Sequence, residues 1–208
     1  MAFSDKNFKT IGDVLLLYPI CYAQAKRFEK VILVQVSDTF NNSIQLALDN
    51  IDYKASEQAI CEALLYPVLM EAWKPYIPYF SFWSHKALIY DDFLKGLPDF
   101  LFSKRSAKGK VVFEQPYIAV VEAKLDDFSG GWAQCALEMI AIQKINNEVQ
   151  KTIFGIVSNG DRWEFSTLEN DVFTQYQEAG DINDLPKLLG ILTYILEECK
   201  RIYIDGEN

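Results

Sequence analysis

The most constraining feature of this sequence is the segment Tyr117–Lys124, YIAVVEAK, which is apolar until its last three residues. A short run of this kind is typical of a β-strand buried on both faces in the middle of a sheet. Because side chains alternate between the two faces of a strand, Glu122 and Lys124 should share one face and Ala123 the other. Charged side chains at the end of a buried strand are unfavourable unless they are paired or bind a metal. The segment therefore predicts a central strand that ends in an ion pair or a metal site.

The flanking segments predict helices and strands around this central strand. Ser56 is a residue of the N-cap type, and apolar residues recur at three- and four-residue steps from it to about Trp73. Asn159-Gly160 is typical of a hairpin turn. From residue 55 onward the predicted order is α-β-β-β-α-β-β-α, which favours an α/β fold with a mixed sheet flanked by helices. The other predicted elements are strands at Phe80–Tyr90, Leu97–Ser103, Ile153–Val157 and Arg162–Ser166, a break at Gly130-Gly131, and helices at 132–146 and 184–201.

The chain divides into an N-terminal segment and one larger unit. Residues 1–54 are interpreted as an accessory segment, 55–175 as the core, and 176–208 as a C-terminal capping helix of the same domain. The predicted elements of the accessory segment are helices at Ile11–Tyr18 and Asn42–Ile51 and a strand at Lys30–Val36. Since half of the 208 residues are apolar, we expect a sizeable core that forms without metals or disulfides.

The charge balance argues against a simple electrostatic DNA clamp. The formal net charge is −9, whereas affinity for nucleic acid usually depends on Lys and Arg side chains that neutralise phosphates. Positive charge is local, in one cluster within residues 104–110 and another within residues 26–30. These clusters are interpreted either as solvated loops or as a rim that faces phosphates.

Cysteine spacing and hydropathy predict a cytoplasmic protein without a membrane partner. Cys21, Cys61, Cys135 and Cys199 are scattered, with no CxxC pair, so we expect reduced thiols. The segment MAFSDKNFKT lacks the basic region and apolar core of a signal peptide. Apolar runs such as Val14–Leu17 are too short to span a bilayer.

A second acidic residue strengthens the prediction of a metal site. Asp99, in Leu97-Pro98-Asp99-Phe100, stands 23 residues before Glu122 on another predicted strand. Mg²⁺ prefers oxygen ligands and commonly takes one or two carboxylates, with waters completing its shell. Lys124 beside such a metal would orient or help to deprotonate an attacking water, or would stabilise charge developing on a phosphate.

These motifs resemble the PD-(D/E)XK nucleases, most closely the nuclease domain of type I restriction enzymes and short stand-alone relatives. The shared pattern is Pro-Asp on one strand, Glu-x-Lys on the next, and then a helix that carries a glutamine. Three further stretches are similar to the family's leading helix, its post-motif helix and its recurrent Asn-Gly…Trp hairpin, namely Ser56–Leu69, Gly131–Met139 and Gly155–Phe165. The resemblance covers residues 55–175. The P-loop of the helicase motor in type I subunits is not found in this sequence.

The resemblance implies a restriction-endonuclease-like fold with an α-β-β-β-α-β core. It implies that Asp99 and Glu122 bind the metal, that Lys124 is the catalytic lysine, and that Gln134 is the helix residue that supports the site. Glu138, one helical turn after Gln134, competes with it for the inward position.

The acid of the leading helix has two candidates. Glu57 lies ten residues before Pro67, as in type I restriction domains, and Glu62 lies five before it. At about 100° per residue the two side chains point about 140° apart, so only one can face the metal. Glu57 is favoured as the third metal-binding acid, with Glu62 as the alternative.

The expected function is that of a Mg²⁺-dependent endonuclease, with Mn²⁺ as a substitute, that hydrolyses DNA phosphodiester bonds in restriction or defence. DNA is the expected partner, and a homodimer or a larger defence complex is compatible with the sequence. The alternative is a catalytically inactive nuclease-like module for binding or scaffolding. His85 is interpreted as a strand residue without a catalytic role, and the aromatic residues between Trp73 and Trp83 as core rather than as a platform that stacks bases.

Overall fold

The computed structural model describes residues 8–207, so residues 1–7 of the expected accessory segment, and Asn208, lie outside it. Its helices are α1 (Ile11–Leu17), α2 (Asp38–Asn50), α3 (Glu57–Ile60), α4 (Tyr66–Trp73), α5 (Phe128–Asn146) and α6 (Leu185–Tyr203). Its strands are β1 (Cys21–Ala25), β2 (Phe80–Ser84), β3 (Leu88–Ile89), β4 (Lys95–Gly96), β5 (Phe100–Lys104), β6 (Tyr117–Ala123), β7 (Ile153–Ser158), β8 (Arg162–Glu169), β9 (Val172–Tyr176) and β10 (Gly180–Asp181).

One mixed sheet organises the fold, in the order β1-β9-β8-β7-β6-β5-β2, with β10 paired to β8. The pairs β6–β7 and β1–β9 are parallel, and the other neighbours in this sheet are antiparallel. The strands β3 and β4 form a separate small hairpin. Strand β6 is central and every one of its residues is buried, as its apolar sequence predicts.

Helices cover both faces of the sheet. Met139 and Cys135 of α5 lie against Gly155 on one face. Leu69 of α4 and Leu192 of α6 lie over the other face, near Ile156 of the same strand. Consecutive residues of β7 therefore meet different helical layers, as a strand buried on both sides requires. The protein has an α/β fold in which helices flank a large mixed sheet. No helix within residues 8–207 has both the length and the hydropathy that would be needed to cross a bilayer.

The leading helix begins where the sequence predicts, but it widens in the middle. The Ser56 hydroxyl accepts a hydrogen bond from the Ala59 amide and caps the first turn. Between α3 and α4, residues Cys61–Leu65 form one π-helical turn, in which the Tyr66 amide donates to the Cys61 carbonyl. Pro67 follows directly, and because it has no N–H and its ring crowds the preceding turn, it disfavours regular α-helical bonding here.

Two local predictions were wrong. Lys30–Val36 is not a strand, and β1 at Cys21–Ala25 joins the sheet instead, parallel to β9. The apolar run packs along α6, where the Val34 amide donates to the Pro186 carbonyl and the Ile32 carbonyl lies against Gly190. Gly130-Gly131 is not a break either, because it belongs to the first turn of α5, which Asp127 caps by accepting a hydrogen bond from the Gly130 amide.

Candidate functional site

Strand register brings Asp99 and Glu122 to the same end of the sheet. Phe100 pairs with Val121 in the antiparallel β5–β6 ladder, so the next position along places Asp99 opposite Glu122. Opposed residues of an antiparallel pair project from the same face. The Asp99 carboxylate is held there because its Oδ2 accepts a hydrogen bond of 2.8 Å from the Ala123 amide.

Lys124 lies within ion-pairing distance of two acids. Its Nζ is 3.4 Å from Glu122 Oε2 and 3.6 Å from Glu57 Oε2, and its side chain is only 13 % exposed. The Lys124 amide donates to the Ser158 carbonyl, which continues the pairing of β6 with β7. A Cβ atom at Gly131 would stand 2.7 Å from Lys124 Cγ, so glycine at that position gives the lysine its path past α5.

Glu122 is a carboxylate inside the core. Its residue exposure is 1 %, and its Oε1 has no hydrogen-bond partner among the described residues. Burial, reinforced by the nearby Asp99 carboxylate and opposed by Lys124, raises the pKa of Glu122 to about 8. The site therefore concentrates acidic groups beyond what its one lysine neutralises.

Glu138, on α5, is the second fully buried acid. Burial and then the charge of Glu122 raise the pKa of Glu138 well above its usual range. Once protonated, Glu138 donates a hydrogen bond to Glu122, while Gln134 Nε2 donates to Glu138 Oε1 across 3.3 Å. When both acids are ionised, Glu138 Oε2 is left without a donor, as is Glu122 Oε1. We refer to Glu57, Asp99, Glu122, Lys124 and Glu138 as the carboxylate site.

The structure thus separates the two pairs of candidates that the sequence left open. Glu57 approaches Lys124, whereas Glu62 is exposed and accepts a hydrogen bond of 2.9 Å from Gln58. On α5 it is Glu138 that lies against Glu122, and Gln134 contacts Glu138. Gln134 therefore supports Glu122 through an intervening carboxyl group.

His85 also lies beside the carboxylate site, although no role there was expected for it from the sequence. It is not a strand residue, since β2 ends at Ser84 and His85 has a φ of 49°. Its amide donates to the Asp99 carbonyl, and its Nε2 stands 3.5 Å from Asp99 Oδ1. Ser84 pairs with Phe100, so only the β2–β5 register, which the sequence does not state, would have indicated this contact.

Cys61 is a further neighbour of Asp99 that the sequence did not indicate. It lies in the π-helical turn and forms a side-chain hydrogen bond with Asp99. Burial, and then the Asp99 and Glu122 carboxylates, raise the pKa of the Cys61 thiol. The thiol is therefore neutral at pH 7 and serves as a weak donor to Asp99.

The basic cluster within residues 104–110 lies away from these acids. Lys104 ends β5, whereas Asp99 precedes its first residue. Arg105 donates to the Ile77 carbonyl, and Lys108 pairs with Glu114. These contacts correspond to a loop whose charges are engaged locally.

The donor set fits a hard divalent cation bound by two carboxylates. Within residues 8–207, no group of three or more His, Cys, Asp or Glu side chains is arranged to hold a metal ion. Two carboxylates with coordinated waters are nevertheless a usual environment for Mg²⁺. When both Glu122 and Glu138 are ionised, Oε1 of Glu122 has no donor among the described residues, and a cation bound near Asp99 would satisfy this oxygen.

Comparisons of the chain with protein-family models, with curated proteins and with solved structures found no match. Function is therefore inferred from the geometry and chemistry of the carboxylate site.

Proposed function

We propose that this protein is a Mg²⁺-dependent nuclease that hydrolyses DNA phosphodiester bonds, with a restriction-endonuclease-like fold and a role in restriction or defence. The observation that carries the proposal is the buried Glu122 carboxylate, whose Oε1 has no donor within residues 8–207 when Glu138 is also ionised. Asp99 is its neighbour, and Lys124 Nζ lies at 3.4 Å. A buried acid without full compensation is unfavourable for folding, and perturbed acids of this kind concentrate at functional sites.

Asp99 and Glu122 are the residues that would hold the metal, and Glu57, whose side chain is half-exposed, pairs with Lys124. Mg²⁺ supplies Lewis-acid chemistry at such a site, since it stabilises charge on the scissile phosphate and lowers the pKa of the attacking water. Lys124 carries three N–H donors close to both acids, so it would orient that water and stabilise the negative charge that develops on the phosphate.

The surrounding residues hold these groups in place. The Ala123 amide and Cys61 fix the Asp99 carboxylate, and Glu138 with Gln134 fixes that of Glu122. Supporting contacts of this kind orient the groups that bind a metal and tune their basicity.

A catalytically inactive nuclease-like module for binding or scaffolding is the second candidate, and the distribution of charge favours it. The net charge is −9, and two members of the basic segment are engaged with Ile77 and Glu114. Such a protein would keep the fold and the acidic cluster without turnover.

The decisive experiment is cleavage of plasmid and of single-stranded DNA in Mg²⁺, in Mn²⁺ and in EDTA. We expect metal-dependent cleavage by the wild type and a loss of two or more orders of magnitude in Lys124→Ala, the range for removal of a positioned catalytic group. Lys108→Ala, which alters an exposed lysine, is the matched control and should cleave like the wild type.

Folding must be verified for Lys124→Ala, because the substitution leaves Glu122 without its partner. Lys124→Met, which keeps most of the side-chain volume, serves as a second variant, and circular dichroism checks both. Equal cleavage by a folded Lys124 variant and the wild type would assign the activity to another site. No cleavage by the wild type with either metal would favour the non-catalytic module.

A further inference from the structure

The strand β1 forms one edge of the large sheet, and no strand in the described part of the chain pairs with its outer side. On its inner side, the backbone of Cys21 and that of Ala25 hydrogen-bond to the residues on either side of β9. Because alternate residues of an edge strand bond to its one neighbour, Ala23 also faces β9. The N–H and C=O groups of Tyr22 and Gln24 therefore point outwards, away from the sheet.

This edge lacks the features that usually prevent a sheet from pairing with another chain. Such features are charged side chains, proline, bulges and covering groups. The sequence of β1 is CYAQA, without charge or proline, and its register with β9 is uninterrupted over five residues. At the opposite edge of the sheet, by contrast, the Trp73 side chain donates a hydrogen bond to the carbonyl of Phe80 in β2. Of the two edges, β1 is therefore the one without such protection.

The outward groups of β1 are complementary to a second copy of the same strand. In an antiparallel pair with its two-fold axis at Ala23, Tyr22 lies opposite Gln24 of the partner subunit, and the same pair recurs on the other side of the axis. Since both residues present outward N–H and C=O groups, each of the two pairs exchanges two hydrogen bonds. The small Ala23 side chains meet at the axis, where the strands come closest.

The charges at the two ends of β1 favour the same antiparallel partner. Lys26 and Arg27 follow the strand directly at one end. Asp171 lies beside the other end, where its carbonyl accepts a hydrogen bond from the Cys21 amide. An antiparallel second copy brings its basic end to the acidic end of the first, and the reverse, so opposite charges meet at both ends of the pair.

We infer that β1 pairs antiparallel with β1 of a second copy of this chain, about a two-fold axis at Ala23, so that the two sheets become one. The inference is independent of the proposed function, because β9, β8 and β7 separate β1 from β6 and the carboxylate site. Stable interfaces of standard size bury about 1,200–2,000 Å² in total, which exceeds what a five-residue edge offers. The dimer is therefore weak and depends on concentration.

The first test is sedimentation velocity of the full chain from about 1 µM to about 500 µM. We expect the average sedimentation coefficient to rise from that of a monomer towards that of a dimer. Gln24→Pro removes an outward N–H but no bond to β9, so it should raise the dissociation constant at least about tenfold. Gln24→Ala loses the same side chain but keeps the N–H, and it should dimerise like the wild type. Circular dichroism verifies that both variants fold.

A cysteine pair tests the register. The pairing places Ala25 opposite Cys21 of the partner subunit, at a non-hydrogen-bonded position where Cα atoms lie about 4.5 Å apart, which is within the range for a disulfide. Because Cys21 is exposed, Ala25→Cys should form a disulfide-linked dimer with oxidised glutathione, visible on a non-reducing gel. Gln24→Cys, which lies opposite Tyr22 of the partner subunit, is the matched control and should remain monomeric on the gel.

Each outcome decides the inference whether or not the wild type cleaves DNA. A dimer that Gln24→Pro weakens and Gln24→Ala does not, with cross-linking in Ala25→Cys alone, supports it. A monomer at every concentration overturns it, as does a dimer that a folded Gln24→Pro leaves unchanged. Equal cross-linking of the two cysteine variants also overturns it, and these variants decide the matter if Gln24→Pro does not fold.

Discussion

The two ends of the β6–α5 pair differ in how fully their buried polar side chains are hydrogen-bonded. Where β6 begins and α5 ends, the Asn146 side chain accepts a hydrogen bond of 2.9 Å from the Tyr117 amide and donates to the Tyr117 carbonyl. Gln143, one turn earlier, donates to the carbonyls of two loop residues. Where β6 ends, Glu122 and Glu138 are more deeply buried, and when both are ionised each has an oxygen that finds no donor in residues 8–207.

The contrast separates a polar contact that stabilises the fold from one that the fold tolerates. Neutral amides at the first end satisfy backbone groups at the edge of the core, which is the common fate of buried polar atoms. The acids at the second end raise the free energy of the folded state unless a proton or a cation accompanies them. An unfavourable arrangement on a rigid scaffold is a reason to assign a function to the second end.

The largest expected difference between the ends is in pH dependence. The pKa of Glu122 rises from 4.5 to about 8 on folding, and that of Glu138 also rises, so the folded state holds protons that the unfolded state has released. Stability from these groups is therefore fully present below pH 4.5 and is lost as pH rises towards 8. One proton of difference lowers the free energy of unfolding by about 1.4 kcal/mol per pH unit, to be measured by urea denaturation in EDTA.

The double variant Glu122→Gln, Glu138→Gln should lose most of this slope, because both titrating groups are gone. Asn146→Ala, at the other end, should keep it. If the free energy of unfolding of the wild type rises between pH 5 and pH 8, or if the slope persists in the double variant, then ionisation of Glu122 and Glu138 does not destabilise the folded state.

The second prediction concerns the end of the β6–α5 pair where Asn146 satisfies the backbone of Tyr117. Asn146→Ala leaves both the amide and the carbonyl of Tyr117 without their partner, which should lower the free energy of unfolding by about 1–3 kcal/mol at pH 7. Asn42→Ala, at an exposed position of α2, is the control and should change it by less than about 0.5 kcal/mol. A loss no greater than that of the control would show that water replaces the asparagine at little cost.

The smallest expected effect is stabilisation of the folded state by a cation bound at the end that carries Glu122 and Glu138. With about 10 mM Mg²⁺ and a dissociation constant of about 1 mM, linkage predicts about 1.4 kcal/mol of stabilisation. For a chain of this size that is a rise of about 3–5 °C in Tm, measured by differential scanning fluorimetry. Asp99→Asn should lose most of the shift, and without metal it should be as stable as the wild type or slightly more so, because one like charge is removed. A destabilised Asp99→Asn, with no shift in the wild type, would indicate a purely structural aspartate.

The sequence predicted the main elements because local patterns determine them. The apolar run at β6, the Ser56 cap and the Asn159-Gly160 hairpin each depend on a few neighbouring residues. Contacts that depend on pairing between distant segments were not predictable in the same way. The contact of His85 with Asp99 follows from the β2–β5 register, and the edge strand β1 depends on β9, far along the chain.

Glycine at position 131 has a consequence for how this protein can evolve. A Cβ atom there would stand 2.7 Å from Lys124 Cγ and 2.8 Å from Val157 Cγ1, so a larger residue requires both side chains to shift for as long as the lysine crosses that helix turn. Shortening Lys124 relieves only one of the two contacts, so a chain that has lost the lysine would tolerate alanine at position 131 once position 157 is also smaller. The three positions should therefore vary together in descendants of this sequence, and replacement of the glycine would mark a lineage in which the site has been abandoned.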